Sequence, residues 1–138
     1  PALAGGAPAL QVVPLEALKH RYQQETVERL LESIEVFTPQ QRRTLEWLLA
    51  VGGTRSYKEA CLALGVPPAG NSYVKFTQGG NELVKAGWLI KDSHGVTAAV
   101  REKAQAALRP YTSDEAQVEQ VYQHLVARLA AGHGRRDA

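Results

Sequence analysis

At 138 residues, with 44% hydrophobic and 22% charged residues, the chain has the size and composition of one globular domain with a real core. No apolar run approaches the roughly 20 residues that span a bilayer, and the opening PALAGGAPAL lacks the basic start and long apolar core of a secretory signal. The net charge of +2 is unevenly spread, since residues 39–109 hold ten Lys/Arg against five Asp/Glu while both flanks are acidic.

Residues 1–13, rich in Ala, Gly and Pro and without periodicity, are expected to form a flexible linker or tail. The start at Pro1 in a chain with no Met is what a piece of a longer protein, or a processed start, would give. A first helix is predicted from Pro14 to about Glu35. Its apolar positions form two groups, Leu15, Leu18 and Tyr22, then Val27, Leu30, Leu31 and Ile34, each at helical spacing with a shift between them. A bend or a change of packing partner is expected at that shift. Thr38-Pro39-Gln40-Gln41 then supplies a capping hydroxyl, proline at the first helical position and Gln at the third. The helix it opens should bury Leu45, Leu48 and Leu49, hold Trp47 at its flank, and end at Gly52-Gly53. Tyr57, Ala60, Cys61 and Leu64 fall at i, i+3, i+4 and i+7 and predict a third helix over 57–64. Cys61, the single cysteine, reads as a structural thiol; alone, it excludes an internal disulfide and a cysteine-based zinc site, and it fits a reducing, cytoplasmic setting.

Gly65-Val66-Pro67-Pro68-Ala69-Gly70 cannot continue that helix and predicts a turn. Asn71 or Ser72 is expected to cap the next helix, placed over 73–86 and closed by Gly87. On a helical wheel, Phe76, Gly79, Gly80, Leu83 and Gly87 share one face, while Val74, Gln78, Asn81 and Lys85 lie opposite, with Lys75 and Glu82 at the edge. Adjacent glycines inside a helix cost roughly 1 kcal/mol each relative to alanine. Close approach of a neighbouring helix would compensate, so one unbroken helix is expected, with two short helices as the alternative. The outer face carries major-groove chemistry: Gln78 and Asn81 can each pair with adenine N6 and N7, Val74 can meet a thymine methyl, and Lys75 and Lys85 can reach guanine edges or phosphates. Asn71 and Ser72, at the helix start, suit phosphate contact.

Trp88-Leu89-Ile90-Lys91 and Val96-Thr97-Ala98 read as strands around the turn Asp92-Ser93-His94-Gly95. Lys91 and His94 are expected near the tip, within reach of the backbone or minor groove, with Trp88 packing the hairpin on the core. A helix from about Ala99 to Leu108 ends before Pro110, and Thr112-Ser113-Asp114-Glu115 opens a last helix to about Ala130, striped by Val118, Val121, Tyr122, Leu125 and Leu129. That helix either packs on the first one or forms an interface with a second copy. Residues 131–138 are expected to be a disordered tail.

The fold class these elements predict is mainly α. A winged helix-turn-helix core, of three helices plus a short β-hairpin wing, is flanked by N- and C-terminal helices in a single domain over 14–130. With FTPQQRRTLEWLLAVGG, YKEACLALGV and NELVKAGWLIKD in this order, the layout resembles the winged-helix regulators of the MarR type and winged-helix domains more broadly. It departs from them in a longer turn, a short wing without an Asp-x-Arg pattern, and a short helix after the wing. The resemblance implies a dimer through helices 14–35 and 114–130 and a major-groove reader in the helix after the turn, with wing contacts from Lys91 and His94.

The expected function is therefore that of a DNA-binding transcriptional regulator with double-stranded DNA as partner. The alternative is a winged-helix module of a larger ATPase, helicase or replication protein, touching a duplex or other domains of its parent. No membrane partner is expected. No Gly-rich phosphate loop, nucleophile elbow or HExxH occurs, and His20, His94, His124 and His133 lack ligand spacing, so neither an enzyme nor a metal or other cofactor is expected.

Overall fold

Helices α1 (Leu15–Glu35), α2 (Pro39–Val51), α3 (Tyr57–Leu64) and α4 (Gly70–Lys85) are followed by strands β1 (Leu89–Asp92) and β2 (Gly95–Ala98), then by α5 (Val100–Leu108) and α6 (Glu115–Asp137). The structure, a computed structural model, describes residues 14–137, with side chains as far as residue 131. The leader expected over 1–13 lies outside the described residues. The fold is mainly α, with one two-stranded antiparallel sheet. Among the described residues, no helix is long and apolar enough to cross a membrane.

Local chemistry sets several element ends. Thr38 and Gln41 form a reciprocal capping box at the start of α2, and Ser56 and Glu59 form a second one at the start of α3. Gly65, at φ 73°, closes α3 in the left-handed conformation. The two-part stripe of α1 has a clear cause. Leu30 and Ile34 are buried and Val27 and Leu31 pack against the core, whereas Leu15 and Tyr22 are exposed. The helix leaves the core where the stripe shifts. At the other end, α6 runs beyond Ala130, where its end was expected, and the backbone of the expected tail is helical through Asp137.

One apolar core joins every helix. Ile34, Leu45, Leu48, Phe76, Leu83, Trp88, Val100, Leu108, Leu125 and Leu129 are almost fully buried in it. Leu49 and Trp47 are half-buried at its edge. α6 packs against α1, α2 and α5. It runs parallel to α1: Gln23, midway along α1, donates to Gln117 Oε1 (2.8 Å) in the first turn of α6, and Arg128 donates to Glu35 (2.9 Å) farther along both.

Arg42 is buried at the junction of these helices, although nothing in the apolar pattern marks it. Its Nη2 donates to the Ile34 carbonyl (2.9 Å), and its Nη1 donates to the carbonyls of Arg128 (3.1 Å) and Leu129 (3.4 Å). Glu35 balances the charge at 3.5 Å. The planar fork thus ties the end of α1, the start of α2 and the body of α6 together. Removing one partner of a buried charged pair strands the other and its hydrogen-bonding groups. Arg42→Ala is expected to lower the unfolding free energy by about 3 kcal/mol in urea titration.

A second tie joins α5 to α6. Arg101 pairs with Glu119 and lies over the Tyr122 ring, 4.0 Å from its centroid. The hydrogen bond from Arg101, with a second from Gln123, holds the Glu119 carboxyl below its ordinary range. A carboxyl depressed on folding contributes stability above its unfolded pKa and loses it as the pH falls through the folded one. The gap in thermal midpoint between the wild type and Glu119→Gln is therefore expected to be widest near neutral pH and to close in acid.

Candidate nucleic-acid interface

The helix that presents the candidate residues is placed by a missing side chain. A Cβ on Gly80 would lie 2.6 Å from the Tyr57 ring, so α3 and α4 approach as closely as they do because Gly80 has none. The edge of Phe76 completes the contact, its ring at 88° to that of Tyr57 with centroids 6.1 Å apart. The neighbouring glycine has a looser setting: a Cβ at Gly79 would meet Gln41 Cγ at 3.5 Å. Gln41 Nε2 donates to the Gly79 carbonyl at 3.1 Å, which ties α2 to α4. α4 runs unbroken through both glycines, burying Phe76, Gly80 and Leu83.

Its start differs from expectation. The N-cap is Ala69, not Asn71 or Ser72, and it makes no side-chain cap hydrogen bond. Pro67-Pro68 leads into extended Ala69, and Gly70, at φ 69°, turns the chain directly into the helix. Asn71 and Ser72 therefore stand exposed in the first turn. At the other end, Lys103 donates to the Ala86 carbonyl and sets its ammonium 5.4 Å from the centroid of the Trp88 ring. Trp88 itself is buried, edge-on to Phe37 with centroids 5.5 Å apart.

The hairpin is held from below. Its strands pair from Leu89↔Ala98 to Asp92↔Gly95. Asp92 Oδ1 closes the turn by accepting from the N–H groups of His94 (2.7 Å) and Gly95 (3.2 Å). The segment before α3 adds a further rung: Arg55 and Val96 exchange backbone hydrogen bonds of 2.9 and 2.8 Å. A Cβ at Gly95 would fall 2.3 Å from the Arg55 carbonyl oxygen. A one-residue bridge has no periodicity, so the alternation of the sequence could not signal it.

Asn71, Ser72, Val74, Lys75, Gln78, Asn81, Lys85, Lys91 and His94 are all exposed. The first seven lie along α4. Lys75, Gln78 and Glu82 also form one wall of an open cleft whose other wall is Thr38–Gln41 at the start of α2. Lys91 joins them from β1: its ammonium lies 5.3 Å from the centroid of the Tyr57 ring and 3.4 Å from Asn81 Oδ1. The same Oδ1 accepts from the Tyr57 hydroxyl at 3.1 Å. Burial, and after it neighbouring Tyr73, push that hydroxyl's pKa up from its ordinary value. His94 sits at the hairpin tip, and among the described residues no hydrogen bond or ion pair joins its ring to α4.

Comparison with protein-family models, curated proteins and solved structures returned no match.

Two residues that shape the face were not among the candidates. Tyr57 reads as a core residue by its helical spacing, yet its hydroxyl reaches the α4 surface. Gln41 reads as a capping residue, yet the same amide that accepts from the Thr38 N–H also donates to Gly79. The two glycines should answer differently to alanine. Gly79→Ala gains helix propensity at an ordinary contact distance and is expected to raise stability by up to about 1 kcal/mol. Gly80→Ala must displace the Tyr57 ring and is expected to lose about 1–2 kcal/mol net. Denaturant midpoints of the two variants, moving in opposite directions, would check the pair.

Proposed function

We propose that the chain is a winged helix-turn-helix DNA-binding domain that lays α4 in the major groove of a duplex. The observation that carries this reading is the exposed face of α4, with Val74, Gln78 and Lys85 along it, on a helix fixed by Tyr57 below and the hairpin beside it. An α-helix about 10–12 Å across fits the roughly 12 Å width of the major groove. Gln78 pairs with adenine, Val74 meets a thymine methyl, and Lys75 and Lys85 take guanine edges or phosphates. Asn71 and Ser72 serve a phosphate at the start of α4, where the first N–H groups have no partner within the helix. The hairpin is the wing, and it carries Lys91 and His94 to the DNA backbone or minor groove. On this surface Lys75, Lys85 and Lys91 attract phosphate, whereas Arg42 and Arg101 of the same basic stretch are engaged with the long flanking helices.

The role is that of a transcriptional regulator in the cytoplasm, with a second copy of the chain as partner. What supports the dimer is the first half of α1, where, among the described residues, Leu15 is 65% and Tyr22 49% exposed, beside an α6 whose inner stripe is already used within the chain.

Binding of a duplex, titrated against salt, tests the reading. The logarithm of affinity should fall linearly with the logarithm of salt, and Lys75→Ala should reduce that slope by about one if this lysine meets a phosphate. Gln78→Ala should lose about 1–3 kcal/mol at one base pair and little at the others. Absence of duplex binding at low salt would refute the proposal. A dimer by sedimentation supports the regulator; a monomer that still binds duplex supports a module of a larger protein instead.

A further inference from the structure

Resting on the DNA reading above, we propose that Asn81 is a positioning residue that locks the wing to α4, and that it does not read a base. An asparagine that selects adenine accepts from N6 through Oδ1 and donates to N7 through Nδ2. Here Oδ1 is engaged from two sides. The Lys91 ammonium stands 3.4 Å away and the Tyr57 hydroxyl 3.1 Å away. An ammonium has donors only, so the oxygen of the amide must be the atom that faces it, which fixes the orientation of the group. With the oxygen turned toward these two donors, the –NH2 group is what the amide has left for an outside ligand. A lone donor meets N7 of adenine, N7 or O6 of guanine, O4 of thymine or a phosphate oxygen alike, and so carries little base information.

The geometry gives Asn81 another task. Lys91 belongs to β1 and Tyr57 to α3, and both converge on this one oxygen of α4. The Tyr57 ring adds a second hold on the ammonium, with its centroid 5.3 Å away. The bracket keeps a long, flexible lysine at one point between α4 and the wing, with donors to spare for a phosphate at the groove edge. Ordering that side chain before binding removes an entropy cost from the complex. Base choice on this face then falls to Gln78 and Val74.

The test captures bound members of a pool of short duplexes with a randomised centre, then sequences them and measures affinities. Asn81→Ala and Tyr57→Phe are each expected to weaken binding across the whole pool by a common factor, up to about tenfold, with base preferences unchanged. The double variant should be no weaker than the worse single one, because both break the same bracket. Gln78→Ala is the contrast, changing the preference at one position. Tyr57→Phe keeps the buried ring and deletes one hydroxyl, so it isolates the bracket from folding. Hydrogen exchange without DNA supplies a second readout: hairpin amides should exchange faster in Asn81→Ala and recover in Asn81→Asp, whose carboxylate still accepts from both donors. Loss of an adenine preference at one position in Asn81→Ala, or Tyr57→Phe binding at full affinity with unchanged hairpin exchange, would overturn the inference while leaving the DNA reading intact. Failure of the wild type to capture any duplex would instead sink the DNA reading itself, and this assignment with it.

Discussion

The absent side chain of Gly80 is the constraint on which the surface of α4 depends. Tyr57 lies in the space that any larger residue at position 80 would fill. Glycine costs a helix roughly 1 kcal/mol relative to alanine. The burial of Tyr57 against Phe76 offsets that loss, and the close approach settles where the Tyr57 hydroxyl emerges. From there the consequences run outward: the hydroxyl reaches Asn81, Asn81 holds Lys91, and Lys91 belongs to the hairpin. A packing detail in the core thereby sets the arrangement of polar groups on the surface.

Where the physics is local, the sequence was legible. Thr38-Pro39-Gln40-Gln41 marked the start of α2, the Tyr57/Ala60/Cys61/Leu64 spacing located α3, and Asp92-Ser93-His94-Gly95 marked the hairpin turn to within a residue. The errors occur where local signals compete or where the deciding partner is distant. Asn71 and Ser72 are good capping residues, but the positive φ of Gly70 starts α4 earlier and leaves them inside it. Residues 131–138 read as a disordered tail, yet the backbone of α6 remains helical through Asp137. Arg42 carries a charge and so reads as surface; its burial depends on carbonyls of α1 and α6, the latter more than eighty residues away. Asn81 is the clearest case at the candidate site. Its residue type suggests a reader, and only the convergence of α3 and β1 shows that its acceptor is already engaged.

The flanking helices and the α4 face are connected through two consecutive residues. Gln41 reaches forward to the Gly79 carbonyl of α4. Arg42 reaches the other way, to Ile34 of α1 and to Arg128 and Leu129 of α6. A helix turns about 100° per residue, so neighbours in sequence point to different sides, and the first turn of α2 can serve both. Thr38 fixes that turn through the capping box, which also restrains the Gln41 side chain. α1 and α6 therefore cannot shift against α2 while all these bonds persist. A change in their arrangement must either break the bonds of Arg42, leaving a buried charge poorly matched, or carry the start of α2 along and draw on the link from Gln41 to α4. The geometry of the α4 face is thus not independent of the long helices, even though those helices contribute no residue to it.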